Sequence, residues 1–431
     1  MNLESVTIFG QIIEGTAMGY SDQFFKALGL DPSDKKGMAV LSKKVGIPID
    51  RLKYFNTNNV VPTGKHLEAL IAVTGVSEVE LMVRMGRLNK DVLEAIQENA
   101  DRILDAIKEH KPSIESPLTA PQMTFKTRLG TLYEGDCVAL ARTLESDSVD
   151  LVFADPPFNL NKLYPSKIND SLKTEKYIHW CQEWLSECIR ILKPGGSLFL
   201  WNLPVWNAAL STFLEGRLTF KHWISVDMKF SLPIPKRLYP SHYSLLYYVK
   251  GPTPNTFHPD RLPTQTCPHC YGDLKDYGGY KNKMNPLGVN MTDVWLDIAP
   301  VRHAKFKRRN GANELSLKLL DRVIEMASDV GDTIFDPFGG SGTTYVAAEL
   351  KERQWIGCEI GPSDDIVNRF SKLNDEAGIL QEYRNKLNAL FPEDVKKKRE
   401  IAGLWTCETV TVEHKDKQRE LELEAIEAKR C

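Results

Sequence analysis

Residues 155–158 read Asp-Pro-Pro-Phe and follow directly on the apolar run Val149-Asp150-Leu151-Val152-Phe153-Ala154. Proline fixes φ and pushes the residue before it into an extended conformation, so this pair holds Asp155 rigidly at a strand end and turns the Pro156 carbonyl forward, unpaired. A carboxylate oxygen beside a backbone carbonyl can accept both hydrogens of one NH2 group, and Phe158 offers a flat apolar face to a ring. The segment is therefore suited to a planar amine. In adenine or cytosine the exocyclic amine delocalises its lone pair into the ring, and two acceptors holding its hydrogens localise that pair for attack on an electrophilic methyl group. The plainer reading of the same residues is a Pro-Pro turn closing a buried strand.

A second loop follows the apolar run Thr333-Ile334-Phe335 and reads Asp336-Pro337-Phe338-Gly339-Gly340-Ser341-Gly342-Thr343-Thr344. Its glycines let the backbone turn tightly and approach a ligand closely, and the two threonines open a helix running to about Leu350. A further strand, Gln354-Trp355-Ile356-Gly357-Cys358-Glu359, ends in an acid 23 positions after Asp336, the spacing at which a carboxylate can accept from ribose hydroxyls. Taken alone, this succession would be read first as a nicotinamide-cofactor site.

Together the two loops resemble those of the DNA amino-methyltransferases that use S-adenosylmethionine. Asp155-Pro156-Pro157-Phe158 looks like the catalytic tetrapeptide of that family, and Asp336 to Gly342 like its cofactor loop. The catalytic motif precedes the cofactor motif by about 180 residues, which resembles the circularly permuted class called β. The resemblance spans roughly residues 125–375. It implies that Asp336, Phe338, Gly339, Gly340, Ser341, Gly342 and Thr343 hold the methionine part of the cofactor, Glu359 the ribose, and Asp136, in Glu134-Gly135-Asp136, the adenine edge. One motif departs from the family. Where a His-Pro-Thr-Gln-Lys-Pro type segment is usual, this chain has Gly311-Ala312-Asn313-Glu314-Leu315-Ser316, so the lysine and proline are missing and Asn313 remains as a donor to the cofactor carboxylate.

The elements that must position these loops read as an open α/β sheet. Glu175–Leu192 is expected as a helix, Lys193–Gly196 as a turn and Ser197–Trp201 as a strand. The fold expected is a Rossmann-like methyltransferase domain with a target-recognition insertion, plus an amino-terminal all-α module. The boundaries are 1–85 for a helix-turn-helix-like module, 86–124 for a linking helix and linker, 125–229 for the catalytic half, 230–310 for the insertion, 311–395 for the cofactor half and 396–431 for a charged tail, within which Glu413 to Arg430 reads as a solvated helical face. With 431 residues and 42% apolar content the chain exceeds usual single-domain size. It shows no amino-terminal signal and no long apolar run, so a cytoplasmic enzyme without a membrane span is expected. The eight cysteines form no disulfide framework.

Net charge is −2, so contact with nucleic acid requires local basic patches. Residues 261–310 hold nine Lys/Arg against four Asp. Within them Lys305, Lys307, Arg308 and Arg309 can neutralise phosphates, and Tyr239, Tyr243, Tyr271 and Tyr280 of the insertion can stack or wedge. Near the amino terminus Met38–Pro48 reads as a helix, a glycine turn and the start of a second helix, similar to repressor-type helix-turn-helix proteins. Its second helix presents Ile49 and Asp50, poor readers of DNA, followed by Arg51, Lys53, Tyr54 and Asn56, which are better; docking or dimerisation is the alternative use. Cys267-Pro268-His269-Cys270 has the spacing of half a structural zinc site, with a pair of reduced thiols as the alternative.

The expected function is site-specific methylation of the exocyclic amine of a flipped base in double-stranded DNA. Asp at the head of the catalytic motif, where cytosine enzymes of this kind more often have Ser, favours adenine N6 over cytosine N4. A helix-turn-helix regulator that senses the cofactor and an RNA methyltransferase are the competing classes. A homodimer and a cognate restriction endonuclease are the partners to look for besides DNA.

Overall fold

A computed structural model of the chain describes residues 23–31, 33–57, 60–85, 120–160, 172–227, 240–273, 284–298 and 314–408, with isolated positions at 96–103 and at 238. They fall into two compact units, which are taken separately.

In the amino-terminal unit the described residues form helices at Gln23–Ala27, Lys35–Val45, Ile49–Thr57, Lys65–Thr74 and Glu78–Arg84. The Asp34 carboxylate accepts from the amides of Lys36 and Gly37 and so starts the second helix, and Gly46, at φ 68°, ends it in the left-handed conformation. Phe24, Leu41, Leu52, Phe55, Leu70 and Leu81 share one core.

The larger unit is built on strands β1 (Gln122–Lys126), β2 (Gly130–Glu134), β3 (Val149–Ala154), β4 (Leu192–Asn202), β5 (Thr219–Asp227), β6 (His242–Val249), β7 (Arg261–Leu262), β8 (Val289–Asn290), β9 (Val294–Trp295), β10 (Thr333–Asp336) and β11 (Gln354–Glu359). Nine of them make one sheet in the order β1-β2-β11-β10-β3-β4-β6-β5-β9, and β7 pairs with β8. β2, β11, β10, β3 and β4 run parallel, whereas β6 is antiparallel to both β4 and β5. Leu151, Val152 and Phe153 of β3 and Ile334 and Phe335 of β10 are fully buried, as expected of parallel strands covered on both faces. From β10 the chain runs through helix Thr343–Leu350 to β11 on one side, and from its neighbour β3 through helix Thr174–Ile191 to β4 on the other. Such a reversal opens a crevice at the carboxyl ends of the two adjacent strands, which is where ligands enter folds of this type.

Three sequence expectations are corrected. Lys193–Gly196 does not separate a helix from a strand but lies inside β4: Val149 faces Leu192 while Leu151 faces Ser197, so the turn residues bulge out of a continuing strand. Gly195 makes this bulge feasible, at φ 77° and packed so closely on Asn255 that a Cβ would lie 2.1 Å from its Oδ1. The sheet also does not end near residue 229. β6 lies between β4 and β5 with Leu245 to Val249 buried, and its continuous apolar run lacks the alternation that marks a half-exposed strand. The boundary expected between residues 395 and 396 instead falls inside helix Glu393–Ile401, which buries Arg399 completely. That guanidinium bonds the carbonyls of Tyr271 and Trp405 and the Asp273 carboxylate, and lies 4.1 Å from the centroid of the Phe391 ring. Residues 409–431 lie outside the described part.

Candidate active site

Four acids follow or end four adjacent parallel strands on the same edge of the sheet: Asp136 two residues beyond β2, Glu359 at the end of β11, Asp336 at the end of β10 and Asp155 just beyond β3. Their proximity registers on their neighbours. The Cys358 thiol is pushed well up, first by burial and then by the charges of Glu359, Asp136 and Asp336.

Asp336 is almost fully buried. Its Oδ1 accepts from the Phe338 amide at 2.9 Å, which bends the chain into the loop. Burial pushes its pKa up to about 7, with Glu359 adding to the rise and hydrogen bonds from Thr344 and Phe338 opposing it. Glu359 accepts from the Gly340 amide at 2.7 Å through one oxygen, Oε2. Gly339 donates to the Cys358 carbonyl at 2.7 Å, and Gly342, at φ 76°, caps helix Thr343–Leu350. A Cβ on Gly339 would lie 2.9 Å from the Tyr345 hydroxyl, and one on Gly342 would lie 2.7 Å from Ile366, so neither position admits a side chain without displacement. Tyr345, which the sequence did not single out, is fully buried and donates toward the carbonyls of Asp336 at 3.0 Å and Cys358 at 3.1 Å while accepting from the Cys358 amide at 3.1 Å. It stitches β10 to β11 directly under the loop.

At the end of β3, Asp155 is half-buried. Crowding of its carboxyl group by the surrounding protein, and secondarily the charge of Asp336, push its pKa well above the usual carboxylate range. No described residue donates a hydrogen bond to this carboxylate or to the Pro156 carbonyl. Phe158 is buried, its carbonyl accepting from Trp206 Nε1 at 2.7 Å, and its ring lies 6.1 Å from that of Tyr243, which in turn lies 4.9 Å from Trp201. Trp201 and Trp206 are further aromatic supports of the Asp155–Phe158 loop that the sequence reading missed.

The other candidates are placed as follows. Asp136 caps helix Cys137–Thr143, accepting from the Ala139 amide at 2.9 Å through Oδ1. Lys53 and Tyr54 are exposed; Lys53 lies 4.0 Å from Asp50, and the Arg51 guanidinium sits 4.8 Å from the Tyr54 ring centroid. Asn313, Lys305, Lys307, Arg308 and Arg309 lie outside the described residues, as do Tyr239 and Tyr280. Cys267 and Cys270 occupy a turn closed by the Thr266–Asp273 bridge, the first half-buried and the second exposed. Among the described residues no group of three or more His, Cys, Asp or Glu could hold a metal, so the zinc expectation finds no further ligands there. Among them, too, no helix is long and apolar enough to cross a membrane.

An edge bearing carboxylates and a close-fitting glycine loop suits a ligand with cationic groups and ribose hydroxyls, as S-adenosylmethionine is. Residues 149–364 match the family model described as DNA methylase. The type II methyltransferase M.BamHI of Bacillus amyloliquefaciens is 44% identical over 393 residues, which is 90% of this chain and 92% of its own. The DNA adenine methyltransferase YhdJ of Escherichia coli (strain K12) is 32% identical over 239 residues, 55% of this chain and 80% of its own. Among solved structures, the PvuII DNA methyltransferase (cytosine-N4-specific) is similar at a TM-score of 0.44 and 18% identity, covering 61% of this chain and 95% of its own. The identity carried across nine-tenths of the sequence, and a family match that includes both loops, establish that the chain belongs to the DNA methylase family of S-adenosylmethionine-dependent N6 and N4 amino-methyltransferases.

Proposed function

We propose that the protein methylates a specific site in double-stranded DNA at the exocyclic amine of a flipped base, with adenine N6 as the target. The observation that carries this reading is a pair of acceptors that no described residue meets, the Asp155 carboxylate and the Pro156 carbonyl, one strand away from the Asp336 loop. S-adenosylmethionine supplies an electrophilic methyl group on a sulfonium. Asp155 and Pro156 hold the two amine hydrogens so that the nitrogen lone pair points at that methyl, and Pro157 and Phe158 keep the loop rigid. As the nitrogen gains the methyl it loses one proton, and the Asp155 carboxylate, made a stronger base by its raised pKa, is placed to receive it. Asp336, Phe338 and the loop to Thr343 hold the methionine part of the cofactor, Glu359 the ribose, Asp136 the adenine edge and Asn313 the carboxylate.

Adenine is favoured because the motif opens with Asp rather than Ser, and the relative YhdJ carries adenine in its name. The same clamp would also fit cytosine N4. Mass spectrometry of nucleosides from DNA incubated with the purified protein and S-adenosylmethionine is expected to show N6-methyladenine. N4-methylcytosine would reassign the base and keep the clamp, whereas modification at a ring carbon alone would sink the proposal.

Lys305, Lys307, Arg308 and Arg309 are the proposed phosphate contacts, and the exposed Lys53 and Tyr54 add nonspecific grip. Alanine at the four basic positions should flatten the salt dependence of binding by about 0.9 in slope per lost contact. The relatives' type II names suggest a restriction endonuclease as partner.

A further inference from the structure

Beneath the glycine loop lies an arginine that none of the motifs include. Arg369 belongs to helix Asp364–Phe370 and is 5% exposed. Its Nε and Nη2 donate to the two oxygens of Glu376 at 2.6 and 2.7 Å, a bidentate grip that fixes the plane of the guanidinium. The remaining nitrogen, Nη1, is thereby aimed at the loop, where it donates to the Ser341 carbonyl at 3.0 Å, the Ser341 hydroxyl at 3.3 Å and the Thr343 hydroxyl at 2.8 Å. These residues flank Gly342, the point at which loop becomes helix. The same Nη1 lies 3.8 Å from Glu314, and Thr343 Oγ1 approaches the Leu315 carbonyl at 3.3 Å. One guanidinium thus joins the loop to the helix carrying Glu376 and to the segment just ahead of helix Leu317–Ala327, beside Asn313.

We propose that Arg369, held by Glu376, is the positioning residue that sets the shape of the cofactor loop, so that its integrity is felt in the affinity for S-adenosylmethionine rather than in the methyl-transfer step. A buried charge fully engaged by a carboxylate and three loop oxygens holds backbone in one arrangement, and a loop that must be re-formed on binding lowers affinity by the fraction of time it is competent. Lysine cannot replace it. A single ammonium at the end of a flexible stem cannot grip both oxygens of Glu376 and still reach Ser341 and Thr343.

The inference rests on reading Asp336 to Gly342 as the cofactor loop, and calorimetry of the full chain with S-adenosylmethionine separates the two. In Arg369→Lys the Kd is expected to rise roughly tenfold or more, with a binding stoichiometry near that of the parent and a single-turnover rate at saturating cofactor within a few fold. Asp336→Asn serves as the control on the loop itself and is expected to lose affinity too. If Arg369→Lys keeps the parent Kd and only its stoichiometry or Tm falls, Arg369 is merely structural and the inference is overturned. A parent-like Kd in Asp336→Asn would overturn the loop assignment beneath it. Should Arg369→Lys fail to fold, Glu376→Gln, which keeps the shape of the partner but not its charge, is expected to raise the Kd in the same direction, and an unchanged Kd there overturns the inference.

Discussion

The loops after β10 and β3 sit on adjacent strands of one crevice but are finished to different degrees. After β10, Asp336 and Glu359 each already accept a backbone amide of the loop, Tyr345 ties the two strand ends together, and Arg369 braces Ser341 and Thr343 from below. After β3, the Asp155 carboxylate and the Pro156 carbonyl have no donor among the described residues, while Trp206 braces the Phe158 carbonyl further along the loop. The contrast separates holding from reacting. A cofactor site gains from being built before its ligand arrives, since affinity is then not reduced by ordering the loop. Acceptors left unmet until the amine arrives do their work late, where stabilisation raises kcat rather than ground-state binding.

The contrast is sharpened most by Asp155→Ala. Single-turnover methylation should fall by about 10²–10³, comparable to removing one aimed group from a transition-state site, while the calorimetric Kd for S-adenosylmethionine stays within a few fold. Equal losses in both quantities would erase the distinction between the loops. Glu359→Ala is expected to do the reverse. Losing an acceptor for ribose, and the anchor of the Gly340 amide, should weaken cofactor binding by about 1.5–3 kcal/mol with a smaller change in rate at saturation.

A milder effect follows from the Asp336 pKa of about 7. The cationic methionine end of the cofactor requires the ionised carboxyl. Below pH 7 the free protein carries mostly the protonated form, and binding must release that proton. Affinity should therefore rise with pH by up to about tenfold per unit as pH approaches 7 and flatten above it, with proton uptake by the buffer detectable in calorimetry. The same shift makes the ligand-free protein bind more protons than the unfolded chain between the ordinary carboxylate range and pH 7, so its stability falls as pH rises through that window. A pH-independent Kd between 6 and 8 would contradict this role for Asp336.

Both loops were legible as strand-end loops in the sequence because each is local: a short apolar strand, an acid and turn-forming residues within nine positions state their own geometry. What supports them was not. Arg369 stands 28 positions after Ser341 in a run, Asp-Asp-Ile-Val-Asn-Arg-Phe, that looks like a charged surface helix, and only the fold turns it under the loop. Tyr345 is hidden in the middle of a good helical stretch, and its hydroxyl matters through strands on either side of it in the chain. β6 was mistaken for irregular insertion because a strand buried on both faces loses the alternation by which strands are recognised. In the helical unit the Gly46 stop was a local signal read from the sequence, whereas the Asp34 cap, which starts the same helix ahead of Met38, was not.

The claim that one loop is finished and the other waits is tested most directly by amide hydrogen exchange on the full chain, without ligand, with S-adenosylmethionine, and with cofactor and DNA together. The amides of Phe338, Gly339, Gly340 and Gly342 donate to Asp336, Cys358, Glu359 and Gly339 respectively. They should exchange slowly already in the ligand-free protein and change little when cofactor is added, while the amides of Phe158 and Asn159 gain protection only once DNA is present. Fast exchange throughout the glycine loop until the cofactor binds, with the catalytic loop protected from the outset, would contradict the account.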